Sequence, residues 1–334
     1  MFSLNQTCLN FEIGRVEYYE EPIAINADYL AISNKARSSV SIFFRNFFGR
    51  WQKKGNILRP KNSIFRRYRE SFGIKLQLER NILAISSRVT IPASAAEKHE
   101  NFTYRDGFYY FTGIYLARLD SKSELKFIET NERLENEYKN FYFLLDGKIN
   151  KVTLPKNGED RFGFSSAVYN NLLLVGSPTR DRGGKAWLFN LNALEEKPLK
   201  IAKSNIYNGT SVAVSESFAA ISDVASALFD PYNSSGLRSR VLIKSLKNGS
   251  TSVIESFGRV SLSDNILAIM LSPYFGYRNP ILQVYRLNKY AVPNLILEYK
   301  KINLEYAFVQ NGFLVTVLKK FWSEKQKVCI KTIR

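Results

Sequence analysis

Between Phe43 and Arg69 the chain reads FFRNFFGRWQKKGNILRPKNSIFRRYR. From Lys35 to Arg69 there are eleven Lys and Arg and no Asp or Glu, with Phe43, Phe44, Phe47, Phe48, Trp51, Phe65 and Tyr68 set among them. Guanidinium forks match phosphate and carboxylate oxygens, ammonium groups add point charge, and aromatic or guanidinium planes stack on bases. Arg45, Arg50, Lys53, Lys54, Arg59, Lys61, Arg66, Arg67 and Arg69 are therefore the candidate contacts for a polyanion, RNA or an acidic protein partner. Phe43, Phe47 and Trp51 read as packing between sheets rather than as stacking platforms.

Little else in the chain has the residue types that catalysis needs. The one histidine, His99, lies in the polar stretch AEKHENFT, where a surface position is its plain reading. A His-based triad or metal centre would have to converge on that single stretch. The two cysteines, Cys8 and Cys329, offer no metal-ligand spacing, and no nucleophile elbow, phosphate loop, dinucleotide fingerprint or HExxH helix is present. The expectation is a protein that is not an enzyme, with no catalytic residue, no metal and no cofactor.

The charge balance concerns partners rather than fold. The 334 residues carry 48 Lys and Arg against 30 Asp and Glu, a net charge of +18. Such an excess favours nucleic acid, an anionic membrane surface, an acidic glycan or an acidic protein. Smaller basic clusters (Arg180 and Arg182, Arg238 and Arg240, Lys319 and Lys320, Lys325 and Lys327) spread the positive surface. The acidic exception, ETNERLENEY from Glu129 to Tyr138, reads as a solvated loop. Apolar runs such as NILAIML fall far short of the roughly 20 residues that span a bilayer, and the N-terminus lacks the pattern of a signal peptide. An intracellular or organellar location is thus favoured over secretion. The five N-x-S/T sequons (Asn5, Asn101, Asn208, Asn233, Asn248) are near the number chance supplies in this composition.

The elements that must position these residues recur along the chain. Arg161 to Leu191, RFGFSSAVYNNLLLVGSPTRDRGGKAWLFNL, reads as three short strands joined at Asn170-Asn171 and by the Gly183-Gly184 loop. Related stretches begin at Glu21, Ser71, Asn208, Ser256 and Glu305. The turn before each second strand falls at Asp28, Asn81, Asn171, Ser217, Asn265 and Gly312, with successive gaps of 53, 90, 46, 48 and 47. The gap of 90 is close to two periods, and KNFYFLLDG at Lys139 is the candidate second strand of a degenerate unit within it. Four short strands every 40 to 50 residues is propeller-blade spacing.

The expected fold is an all-β propeller, a single domain of seven four-stranded blades, with six as the alternative. The blades fall at 21–70, 71–120, 121–160, 161–205, 206–255, 256–301, and 302–334 with 1–20. The closing blade pairs FEIGRVEYYE near the N-terminus with KVCIKTI at the C-terminus. Cys8 and Cys329 then share a blade, and two free buried thiols are the expected state, with a disulfide as the alternative.

The unit at Arg161 resembles the FG-GAP repeat of integrin-like β-propellers. Phe162-Gly163 stands for the FG, repeated at Phe72-Gly73 and Phe257-Gly258; Gly176-Ser177-Pro178 stands for the GAP, and GGKAWLF matches the third strand. Some members carry an Asp-rich calcium loop between the first two strands. The turns here (YNN, ERN, SDN, QNG) have no carboxylate cluster, so the resemblance implies no calcium site. It further implies that Arg59, Lys61, Arg66, Arg67 and Arg69 lie on a link between blades and are exposed on one face.

Three functions follow in order. The first is a non-catalytic interaction scaffold or subunit of a larger assembly, whose basic face (35–69) contacts a polyanion. The second is a glycan-binding or adhesive propeller, which the unequal repeats disfavour. The third is a hydrolase with a carboxylate site at the pore, disfavoured because the first strands IKLQL, FSSAV, SVAV and RVSL hold no carboxylate.

Overall fold

The structure is a computed structural model. It describes residues 6–11, 21–34, 37–59, 69–92, 103–105, 108–119, 126–129, 140–145, 148–153, 165–177, 185–193, 198–203, 208–223, 240–256, 258–271, 280–300, 303–319 and 326–333. These residues form strands and turns: β1 (Gln6–Phe11), β2 (Ile23–Ile25), β3 (Tyr29–Asn34), β4 (Ser39–Arg45), β5 (Trp51–Leu58), β6 (Arg69–Glu79), β7 (Ile82–Pro92), β8 (Thr103–Arg105), β9 (Phe108–Arg118), β10 (Lys126–Glu129), β11 (Asn140–Leu145) and β12 (Lys148–Thr153). The chain continues with β13 (Ser165–Tyr169), β14 (Leu172–Ser177), β15 (Lys185–Asn190), β16 (Leu199–Lys203), β17 (Asn208–Val214), β18 (Phe218–Asp223), β19 (Arg240–Ser245) and β20 (Thr251–Ile254). It ends with β21 (Arg259–Ser263), β22 (Ile266–Leu271), β23 (Ile281–Leu287), β24 (Pro293–Lys300), β25 (Leu304–Gln310), β26 (Phe313–Lys319) and β27 (Gln326–Thr332).

The strands make an all-β propeller with six four-stranded blades, not seven. Their orders are β2-β3-β4-β5, β6-β7-β9-β10 with β8 added on β9, β13-β14-β15-β16, β17-β18-β19-β20, β21-β22-β23-β24 and β25-β26-β27-β1. Each of the six turns found in the sequence joins the first two strands of one blade. Among the described residues, the long gap between Asn81 and Asn171 holds no further four-stranded blade. It is taken up by the 11-residue strands β7 and β9, by β8 and β10, and by a two-stranded hairpin, β11-β12. KNFYFLLDG contributes β11, the first strand of that hairpin rather than the second strand of a sheet.

Each blade runs from buried to exposed, which explains the sequence strings. Second strands are continuous apolar runs because both of their faces are covered: Ile266–Leu271, ILAIML, is buried throughout, as are residues 30–33 of β3. Fourth strands alternate or are mainly polar, as in TSVI of β20 and WQKKGNIL of β5. Residues in left-handed conformation, Arg80, Asn170, Asp264 and Asn311, turn the chain between first and second strands.

Two compact units are distinguished. One comprises Asn10–Thr153 and Glu324–Gln326, the other Met1–Leu9, Leu154–Ser323 and Lys327–Arg334. In the first unit, Ala24, Ala31, Val40 and Ile42 of one blade pack against Phe72, Leu76, Leu83, Ile85, Tyr115 and Leu119 of the next. Phe72, the phenylalanine of FG, is 1% exposed and meets the Tyr115 ring edge-on at 5.4 Å. The innermost strands of these blades touch through a short parallel bridge. Glu21 N donates to Ile74 O at 2.9 Å, and Leu76 N donates to Glu21 O at 2.9 Å. Glu21 also pairs with Lys75 at 3.2 Å.

In the second unit, three successive apolar layers join consecutive blades. Leu174, Leu188 and Ile201 face Val212, Val214 and Ile221; Ile243 and Val241 face Val260, Leu267 and Ile269; Met270 and Val284 face Leu304, Val309 and Leu314. Burying each such side chain stabilises the fold by about 1.5–3 kcal/mol.

The strands nearest the two termini share a blade, as β1 pairs with β27. The N-terminal partner is Gln6–Phe11, earlier than the expected FEIGRVEYYE, of which 12–20 lie outside the described residues. The expectation of free thiols is corrected. Cys8 and Cys329 are joined in a disulfide, because the pairing of β1 with β27 brings their Cα atoms to 4.1 Å.

Candidate polyanion-binding site

The basic segment that opens the sequence argument is the outer half of the first blade. Strands β4 and β5 pair from Ser39↔Leu58 to Arg45↔Trp51, with a bulge at Ile42/Phe43. Val40 and Ile42 turn toward the next blade, so Ser39, Ser41 and Phe43 lie on the opposite face of the strand. Across the pair, Ser41 faces Asn56 and Phe43 faces Lys53. The Ser41 hydroxyl donates to Asn56 Oδ1 at 2.9 Å. The Phe11 ring meets Phe43 edge-on at 5.3 Å.

These groups border a cleft of about 220 Å³ lined by Asn10, Phe11, Asn34, Arg37, Ser39, Ser41, Lys53 and Asn56. Two cations, three primary amides and two hydroxyls surround it, and none of the described lining residues is a carboxylate. The backbone at its mouth is fixed by Arg37 N donating to Asn34 Oδ1 at 3.1 Å. Such a set suits an oxyanion. Arg offers a planar fork, Lys a mobile charge, and the amides and hydroxyls donate neutral hydrogen bonds. Bulk basicity alone supplies none of that geometry.

The remaining candidate contacts separate into distinct environments. Lys53 and Arg50 are exposed, and Lys53 lines the cleft. Arg45 is half-buried and donates from Nε to Gly49 O at 3.3 Å, bracing the turn. Lys54 is committed to the fold: Nζ donates to the Leu119 carbonyl and lies 5.6 Å from the Tyr29 ring centre. Arg59 is half-buried, and its backbone N donates to Ser38 O at 3.0 Å. Arg69 opens β6 opposite Thr90, so it belongs to a strand rather than to the link. Lys61, Arg66 and Arg67 lie outside the described residues, as do Phe162, Gly163, Pro178 and Phe257 of the repeat motif. Gly176 is buried in β14 between Ser165 and Ala186.

Of the aromatics expected to pack, Phe43 and Trp51 are buried at 5% and 8% exposure. Phe47 departs from that expectation. It stands at the turn between β4 and β5 and is 99% exposed, beside Phe48 at 81%. Asn34, Arg37, Ser41 and Asn56 were not singled out from sequence. The signal that could have found them is the β4-β5 hairpin, whose register sets Ser41 opposite Asn56.

No protein-family model matches the chain, and no curated protein matches it. Solved structures do. A prolyl endopeptidase, from work on two such enzymes and on the role of inter-domain dynamics in their catalysis and specificity, is similar with a TM-score of 0.50 at 12% identity, over 93% of this chain and 48% of that one. The chain thus spans about half the length of the prolyl endopeptidase it matches. The β-propeller domain of the Trilobed protease from Pyrococcus furiosus, described as having an open velcro topology, is similar with a TM-score of 0.48 at 11% identity, over 91% of this chain and 92% of that one. At these identities the likeness is one of fold. The expectation of no enzyme is corrected to this extent: the fold also matches a prolyl endopeptidase, so it does not set the chain apart from enzymes.

Proposed function

We propose that this propeller is a polyanion-binding interaction module, a subunit or scaffold of a larger assembly, whose first blade makes the contact. The observation that carries the reading is the cleft in which Arg37 and Lys53 converge with Asn34, Asn56 and Ser41, with no carboxylate among its described lining residues. The net charge of +18 adds long-range attraction, which raises encounter rates with acidic partners. The FG-GAP resemblance belongs to the same proposal. It is supported by the buried Phe72 and by the left-handed Gly73 and Gly258, which give the motif a packing role in two blades.

The test is salt-titrated binding of the full chain to heparin, single-stranded RNA and polyphosphate, with Arg37→Glu/Lys53→Glu as the variant. Each phosphate contact contributes roughly −0.7 to −0.9 to the slope of log affinity against log salt. The double variant should flatten that slope by about two contacts. Identical slopes for the variant and the wild type would place binding elsewhere.

A further inference from the structure

Two phenylalanines at the tip of a hairpin, one wholly and one largely in solvent, are not required by the turn that carries them. The turn Asn46-Phe47-Phe48-Gly49-Arg50 is closed by its own backbone and by one amide. Asn46 N donates to Arg50 O at 2.9 Å, Gly49 N to Asn46 O at 2.8 Å, and Arg50 N to Asn46 Oδ1 at 2.9 Å. Gly49 supplies the left-handed residue, with φ at 74°. The third-to-fourth-strand turn of another blade, Asn288-Lys289-Tyr290-Ala291-Val292, repeats the scheme. There Ala291 N donates to Asn288 O, Val292 N donates to Asn288 Oδ1, and Ala291 is left-handed at φ 63°. In that copy the aromatic is a tyrosine with Lys289 lying 5.0 Å from its ring centre. A third such turn, from Ser245 to Ser250, has no aromatic at all; there Ser245 takes the place of the asparagine, donating from N to Ser250 O and accepting from Gly249 N, and Gly249 is left-handed at φ 75°. The fold therefore asks for a left-handed residue at this corner, not for two adjacent phenylalanines.

The rings' surroundings identify what they meet. Arg45 and Arg50 flank the tip, Lys53 follows on β5, and no Asp or Glu occurs between Lys35 and Arg69. Phe47 and Phe48 stand edge-to-face, with centres 5.7 Å apart and planes at 79°. Two successive bases stack on rings that present parallel faces, so this pair is a poor platform for a nucleic-acid strand. A wedge of two perpendicular rings on a braced hairpin suits a medium that accepts apolar groups in any orientation. Cations beside apolar anchors are the pattern of interfacial attachment to anionic lipid.

We propose that Phe47 and Phe48 insert into the interfacial layer of an anionic bilayer, with Arg45, Arg50 and Lys53 against its headgroups. This rests on the reading of the first blade as polyanion-binding and names the polyanion as a lipid surface. The experiment is sedimentation of the full chain with phosphatidylcholine vesicles, with and without phosphatidylserine. It compares the wild type, Phe47→Ser/Phe48→Ser and Arg37→Glu/Lys53→Glu, with heparin and single-stranded RNA measured in parallel. Expected is binding that needs phosphatidylserine and weakens about tenfold or more when the phenylalanines are replaced. Heparin binding by that variant should be unchanged, which also shows that it is folded. Phe47→Trp supplies a depth readout, since its emission should shift to the blue and be quenched by brominated acyl chains. Binding of heparin or RNA with no binding to phosphatidylserine vesicles would overturn the membrane proposal and leave the polyanion reading standing. Vesicle binding that ignores the phenylalanines would overturn insertion. No binding to any of the probes would overturn both.

Discussion

The backbone N–H of Gly258 donates to the hydroxyl of Ser222 at 3.3 Å, joining the start of one blade to the second strand of the blade before it. The first unit repeats the juxtaposition: a Cβ on Gly73 would lie 2.5 Å from the Oγ of Ser33. Ser33 and Ser222 occupy the same place, the fifth residue after the turn anchors Asp28 and Ser217, in the related strands YLAISN and FAAISD. In two blades, then, the glycine of FG is where the incoming chain passes against a small residue of its neighbour. In the first unit the phenylalanine of the pair, Phe72, plugs the layer beside it.

Replacing Gly258 by Ala should therefore be costly. Its φ is 151°, and the new Cβ would sit 2.3 Å from the Met270 carbonyl oxygen, which is backbone and cannot swing aside. The conformation alone costs about 1–3 kcal/mol, and the overlap adds to it. Gly55→Ala, where nothing lies within 4 Å and φ is not positive, is the control and should be neutral within about 1 kcal/mol. Urea denaturation of the two variants decides the matter; equal midpoints would remove the packing account of FG.

Serine hydroxyls also join blades elsewhere in the second unit. The Ser211 hydroxyl accepts from Val260 N at 3.0 Å, and Ser261 accepts from Val309 N at 2.8 Å. Ser211→Ala leaves a buried N–H without a partner and should cost about 1–3 kcal/mol. Ser215 is just as buried, yet its hydroxyl has no partner among the described residues. Ser215→Ala should be neutral or stabilising, and a loss like that of Ser211→Ala would show that burial rather than bonding sets the cost.

Lys53 and Lys54 are neighbours in sequence with opposite duties. Lys54→Ala removes the bond to the Leu119 carbonyl and should lower stability by about 0.5–1.5 kcal/mol while leaving heparin affinity nearly unchanged. Lys53→Ala, from the cleft wall, should do the reverse. Thermal melts and heparin titrations of both variants separate the roles, and matching profiles would refute them.

Reduction of Cys8–Cys329 should be felt by the whole chain. The bond spans 321 residues, and closing so long a loop restricts the unfolded chain by roughly 6 kcal/mol on the entropic account. Unfolding in denaturant with and without reductant measures it. Cys8→Ser/Cys329→Ser should melt at the temperature of the reduced wild type, and a melt unmoved by reductant would show that the bond contributes nothing to stability.

What the sequence made legible follows from what is local. The six turns could be read because Asn, Asp and Gly mark left-handed corners, and the second strands because both faces are apolar. The blade count failed where locality failed. A gap of 90 residues looked like two periods, but β7 and β9 run for 11 residues each and fill much of it. Ring closure put Cys8 and Cys329 in one blade, but that the two thiols are bonded depends on the register of β1 against β27, which spacing does not show. The basic segment was visible as composition, whereas its division into cleft lining, turn brace and structural cation depends on register. Ser41 meets Asn56 only once the β4-β5 bulge is in place. The solvent-facing Phe47 defeated the ordinary rule that aromatics in strands pack, because it belongs to the turn and not to the strand.

The bond between the first and last strands also changes how the molecule bears load. A pull applied outside Cys8 and Cys329 travels through one sulfur–sulfur link, and the chain between them feels none of it. Cleave the link, and the same pull meets 321 residues in series, a contour of roughly 1,000 Å. A thiol exchange would thus turn a taut, inextensible connector into a long, yielding one.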